Sequence, residues 1–124
     1  MKAALRLVVV FMGFSIYAWP QSPTQNLTAL HVEAENAYLA RDLTKAAEFS
    51  RSLLSAASQA GDRKEMAFAE LNLGRIFGSE GDYTQALEAL NRALELYQGA
   101  DDLSGVATVF NQQAVAYRYT GKIS

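Results

Sequence analysis

His31 is the only histidine among the 124 residues, and the chain has no cysteine. A histidine-based metal site would have to recruit carboxylates such as Glu33 and Glu35. Without cysteine there is no thiolate nucleophile, no disulfide framework and no CxxC metal site. A serine triad would depend on the same single histidine, and no GxSxG elbow occurs. Gly74, Gly78 and Gly81 lie within or at the end of a helical pattern rather than after a strand, so they form no phosphate cradle. Asp101-Asp102 lacks the spaced oxygen ligands of a calcium loop and stands where aspartates elsewhere in the chain precede helical patterns, which makes capping the expected role. The expectation is a protein with no catalytic residue, no cofactor and no metal, and not an enzyme.

Half of the residues are apolar and the formal charge is −2, with both signs interspersed. Such a surface has no electrostatic reason to hold a phosphate backbone, so nucleic acid is not an expected partner. Residues 1–18 stand apart. Lys2 and Arg6 precede an uncharged apolar run of thirteen residues, 7–19. That length fits the core of a signal peptide and is short of the roughly 20 residues a membrane-spanning helix needs. Ala18 supplies a small residue for cleavage, and residues 19–26 read as a proline-punctuated linker. Export to the periplasm or medium is expected, with membrane anchoring only if this segment stays uncleaved.

The remainder, 27–124, reads as helices. Leu27, Leu30, Ala34, Ala37 and Tyr38 follow the spacing of one helix face, as do Ala46, Ala47, Phe49, Leu53, Leu54 and Ala57 in a second segment. Ser22-Pro23 offers an N-cap and first helical position. Asp42 is placed to cap the second helix, and Gly61-Asp62 and Gly81-Asp82 each end one helix and open another. Shifting the chain by 40 residues lays Asp62 on Asp102, Ala67 on Ala107, Gly74 on Ala114, Phe77 on Tyr117 and Gly81 on Gly121. A period of this size that carries small residues and turn signals together marks an array of helix pairs, here about two and a half units.

The second unit, with Leu73-Gly74, Phe77, Gly81, Tyr83, Ala86 and Ala93, resembles a tetratricopeptide repeat. Its 40-residue period is similar to the longer class of that family, and the extra length is expected in the 97–104 region. The resemblance implies an all-α, right-handed α-solenoid of antiparallel helix hairpins. It implies a scaffold that binds a protein or peptide in a concave groove lined by the first helix of each unit. The groove positions it indicates are Phe68, Leu71, Asn72, Arg75 and Ser79, with Asn111, Gln112 and Arg118 in the third unit and His31 and Tyr38 in the first. Asn72 is the sharpest candidate, because an amide offers a donor and an acceptor together, the complement of a peptide group. Arg75 could pair with a ligand carboxylate.

The last helix presents Val106, Phe110, Ala114 and Tyr117 with no helix after it. Two expectations follow: continuation of the array in a longer protein, or coverage of this end by another subunit, giving a homo-oligomer.

Overall fold

The computed structural model describes residues 22–121, so the proposed signal peptide and residues 19–21 lie outside the described residues. The described chain is five helices: α1 (Pro23–Leu39), α2 (Leu43–Ala60), α3 (Arg63–Ser79), α4 (Tyr83–Gly99) and α5 (Leu103–Thr120). Each packs on its sequence neighbour, and α1·α3 and α3·α5 also touch, as in a stack of hairpins.

Local chemistry sets the helix boundaries in a 20-residue register. The N-caps are Ser22, Asp42, Asp62, Asp82 and Asp102, and each side chain accepts from the backbone N–H three residues on. That satisfies one of the donors every helix start leaves open. Ser22 and Gln25 form a full capping box with Pro23 at the first helical position, so residues 23–26 belong to α1 and not to a linker. The residue before each of the four aspartate caps is left-handed: Arg41, Gly61, Gly81 and Asp101, with φ of 64, 70, 82 and 55°. Asp101 is thus the turn residue, and only Asp102 of the aspartate pair caps a helix. Connectors are two or three residues long, and the helices are 17 or 18. Residues 97–104 comprise the end of α4, a three-residue connector and the start of α5.

The core has two parts that meet on α3. Leu27, Leu53, Ala57 and Ala69 gather α1, α2 and α3, with Leu30, Leu54, Met66 and Phe68 packed against them. Ala67, Leu71, Leu90, Ala93, Tyr97 and Val109 gather α3, α4 and α5. Burying each large side chain of these clusters contributes about 1.5–3 kcal/mol. Small residues set the approach of the helices. A Cβ on Gly74 would lie 2.8 Å from Leu90 Cδ2 and 3.3 Å from the Ala86 carbonyl oxygen, so α3 and α4 sit closer than any side chain at 74 permits. A Cβ on Gly105 would lie 2.2 Å from Tyr97 Cδ1, so the Tyr97 ring occupies the space beside this glycine between α4 and α5.

Val106 joins the second cluster from its edge rather than facing outward as expected. Phe110 and Ala114 are exposed and Tyr117 is half-buried.

Candidate functional site

The sequence-derived groove residues of α3 separate by helix geometry into those that reach α1 and those that do not. Phe68 and Arg75 lie about two turns apart on the side facing α1. Phe68 stacks on His31 with ring centroids 3.7 Å apart and an interplanar angle of 11°. Arg75 places its guanidinium carbon 4.1 Å from the centroid of the Tyr38 ring and donates from a terminal guanidinium nitrogen to Glu35 Oε2 at 3.4 Å. Glu65, one turn before Phe68, sits 2.7 Å from His31 Nδ1. The stripe His31, Glu35, Tyr38 on α1 therefore meets Glu65, Phe68, Arg75 on α3 along a seam of aromatic and charged groups.

All six seam residues are half-buried. The stacked rings contribute about 0.5–1.5 kcal/mol beyond their burial, the guanidinium over Tyr38 about 0.5–1 kcal/mol, and an ion pair this open up to about 1 kcal/mol. The seam is accordingly held in place before any ligand arrives, while ring edges and carboxylate oxygens remain accessible. Arg75 is already balanced by Glu35, so an incoming carboxylate must compete for it. Glu35 is committed to Arg75 and His31 to Glu65, and the described residues contain no group of three metal-binding side chains.

Asn72 lies elsewhere than expected. It is wholly buried where α3 meets α1 and α2. Its Nδ2 donates to Ser50 Oγ at 2.9 Å and to the Ala34 carbonyl at 3.4 Å. Ser50 in turn donates to the Ala46 carbonyl at 2.6 Å. Since the only hydroxyl proton of Ser50 is spent on Ala46, Ser50 must accept from Asn72, which fixes the orientation of the amide. Asn72 Oδ1 is buried without a hydrogen-bond partner among the described residues. The physical reason for the burial lies 22 positions away. Ser50 occupies the place of Leu90 one unit earlier, and the shorter side chain leaves room for an amide. Leu71 is likewise buried, in the cluster with Leu90, Tyr97 and Val109.

Ser79 is exposed at the last position of α3, away from the stacked pairs. Asn111 and Arg118 are exposed on α5 and Gln112 is half-buried. The structure does not bring these three into the α1–α3 seam.

Sequence reasoning passed over Glu70, which is 6% exposed and accepts from Arg92 Nε at 3.0 Å, leaving Oε2 unpartnered among the described residues. It also passed over Gln113, whose Nε2 donates to Asn91 Oδ1 at 2.8 Å. Both pairs span 22 residues, as Asn72–Ser50 does. That recurrence is the signal that would have found them. Tyr97 lies close enough to feel Glu65 and Arg75. Burial pushes its phenol up to about 12, the carboxylates of Asp102 and Glu65 act in the same direction, and Arg75 pulls it back.

No described helix is long and apolar enough to cross a membrane. A search of curated proteins finds no match. The family model described as Tetratricopeptide repeat matches residues 65–124, which begin on the first turn of α3 and include all of α4 and α5. The hairpin packing of Gly74 on Leu90 and the capped helix starts 40 residues apart lie within or run through that span. Over residues 65–124 the chain matches the tetratricopeptide-repeat family.

Proposed function

We propose that the chain is an exported, non-enzymatic binding module that takes a peptide segment of a protein partner along the α1–α3 seam. Tetratricopeptide repeats generally mediate protein–protein interaction. The observation that carries the reading here is the pair of bridging stacks, His31 on Phe68 and Arg75 over Tyr38. They hold aromatic surface half-open on two neighbouring helices, which an apolar side chain of a ligand can cover at little ordering cost. Glu35 and Glu65 beside them supply acceptors for backbone N–H groups or a basic side chain of that peptide. Export is supported by the Lys2 and Arg6 pair ahead of the apolar run.

The test uses a displayed library of random peptides selected on the chain, followed by calorimetry of an enriched peptide on wild type, Phe68→Ala and Tyr38→Ala. Each substitution should weaken binding about tenfold. Failure to enrich any peptide, or equal affinity for all three proteins, would sink the reading. Export is checked by fusing residues 1–21 to a reporter and asking whether it leaves the cytoplasm; a retained reporter refutes it.

A second reading, assembly through α5, is favoured by Phe110, a large apolar side chain 51% exposed on a helix that carries one charged residue, Arg118.

A further inference from the structure

The α1–α3 seam sets an aromatic ring beside a carboxylate twice. At one end the ring is Tyr38 and the carboxylate Glu35, and a cation of the chain itself joins them: Arg75 lies 4.1 Å from the ring centroid and 3.4 Å from Glu35 Oε2. At the other end the ring is Phe68 and the carboxylate Glu65, and His31 takes the third place, stacked on Phe68 at 3.7 Å and 2.7 Å from Glu65 Oε2. At neutral pH an imidazole brings a hydrogen bond and not a full positive charge. Among the described residues Glu65 pairs with no lysine or arginine. Two carboxylates against a single guanidinium leave one negative charge unbalanced along the seam, and it rests on Glu65.

That charge is open to a ligand. His31 engages Glu65 Oε2, so Oε1 is the oxygen available, and the side chain is 26% exposed against 18% for Arg75. The opening does not come from a missing hairpin partner. α1 already packs on α2 and α3 on α4, so both helices of the seam have their second helices in place.

Resting on the reading of the seam as the binding surface, we propose that the peptide it takes carries a basic side chain whose cation sits at Glu65 beside the His31–Phe68 stack, as Arg75 sits at Glu35 over Tyr38. The chain thus supplies the cation at one end of the seam and the ligand supplies it at the other. Arginine fits better than lysine, because a planar guanidinium forks onto a carboxylate and stacks on a ring at once. An acidic residue at the same place meets the unbalanced carboxylate and is rejected. Glu65 is accordingly the residue that sets the charge preference of the seam.

Short random peptides selected on the chain should return sequences enriched in arginine or lysine. Calorimetry on one enriched peptide should show about fivefold weaker binding when its basic residue is replaced by glutamine. Glu65→Gln keeps the side-chain shape and a hydrogen-bonding group for His31. It should lose the same factor with the basic peptide and nothing further with the glutamine version. Glu88→Gln, at an exposed position on α4 outside the seam, changes net charge equally and should leave binding as it is. On the wild type, raising the salt should narrow the gap between the two peptides, an arm that needs no variant. Enriched peptides without a basic residue, a replacement that costs as much on Glu65→Gln as on the wild type, or an equal loss from Glu88→Gln would overturn the proposal while leaving the seam a binding surface. No enriched peptide, or peptides indifferent to Phe68→Ala and Tyr38→Ala, would overturn both.

Discussion

Asn72 Nδ2 reaches 2.9 Å to Ser50 Oγ across 22 residues of sequence, and Ser50 passes the chain of hydrogen bonds to the Ala46 carbonyl at 2.6 Å. This relay joins the two hairpins from inside. Asn72 is therefore a stability residue. Asn72→Ala should cost about 1–3 kcal/mol, and Asn72→Asp more, because a carboxylate would set oxygen against both Ser50 Oγ and the Ala34 carbonyl. Thermal melting distinguishes the two roles: a ligand-facing residue would leave the melting temperature of both variants unchanged.

Gly74 and Leu90 form the close approach of α3 and α4, and the two positions are energetically coupled. Gly74→Ala introduces a Cβ 2.8 Å from Leu90 Cδ2 and should cost about 1–3 kcal/mol, partly offset by the better helix propensity of alanine. Leu90→Ala should cost about 2–5 kcal/mol. Together they should cost less than the two added separately, because truncating Leu90 vacates the space the new methyl needs. Denaturant unfolding of the four proteins closes the cycle, and additivity within about 0.5 kcal/mol would refute the coupling.

The left-handed turn residues are unequal. Gly81, at φ 82°, has no atom within 4 Å of a Cβ added to it, so Gly81→Ala tests the backbone alone and should destabilise by about 1 kcal/mol. Arg41 adopts the same conformation at φ 64° with a side chain. Arg41→Gly relieves that cost and returns part of it as chain entropy, for a net gain of about 0.5 kcal/mol. Opposite shifts in melting temperature are expected for the two variants; shifts of the same sign would count against the turn account.

Tyr97 makes stability depend on pH at the alkaline end. The folded phenol ionises near 12, the unfolded one near 10.0. Between these values the unfolded state holds fewer protons, so stability falls as pH rises, while below 10.0 the contribution is complete. Tyr97→Phe removes this dependence. The difference in melting temperature between wild type and Tyr97→Phe should be constant up to about pH 10 and then move against the wild type; a constant difference through pH 12 would show that the phenol ionises freely in the folded protein.

The amino-acid sequence by itself determined where helices begin and which small residues let them approach. Asp42, Asp62, Asp82 and Asp102 cap within three residues of themselves, and Gly74 and Ala86 serve the hairpin that contains them, so their roles are local and legible. Gly74 and Ala86 are also among the residues that carried the resemblance, and they lie within the family match. Only the tertiary structure decided what happens to polar side chains that point toward the next hairpin. Helical spacing places Phe68, Asn72, Arg75 and Ser79 on one side of α3, and nothing in that spacing says which of them α1 and α2 cover. Asn72 is buried because Ser50 is small, Arg75 is half-open because Tyr38 and Glu35 receive it, and Ser79 is open because α3 ends there. Each outcome depends on a residue from another helix, at a distance that a pattern within one helix does not encode.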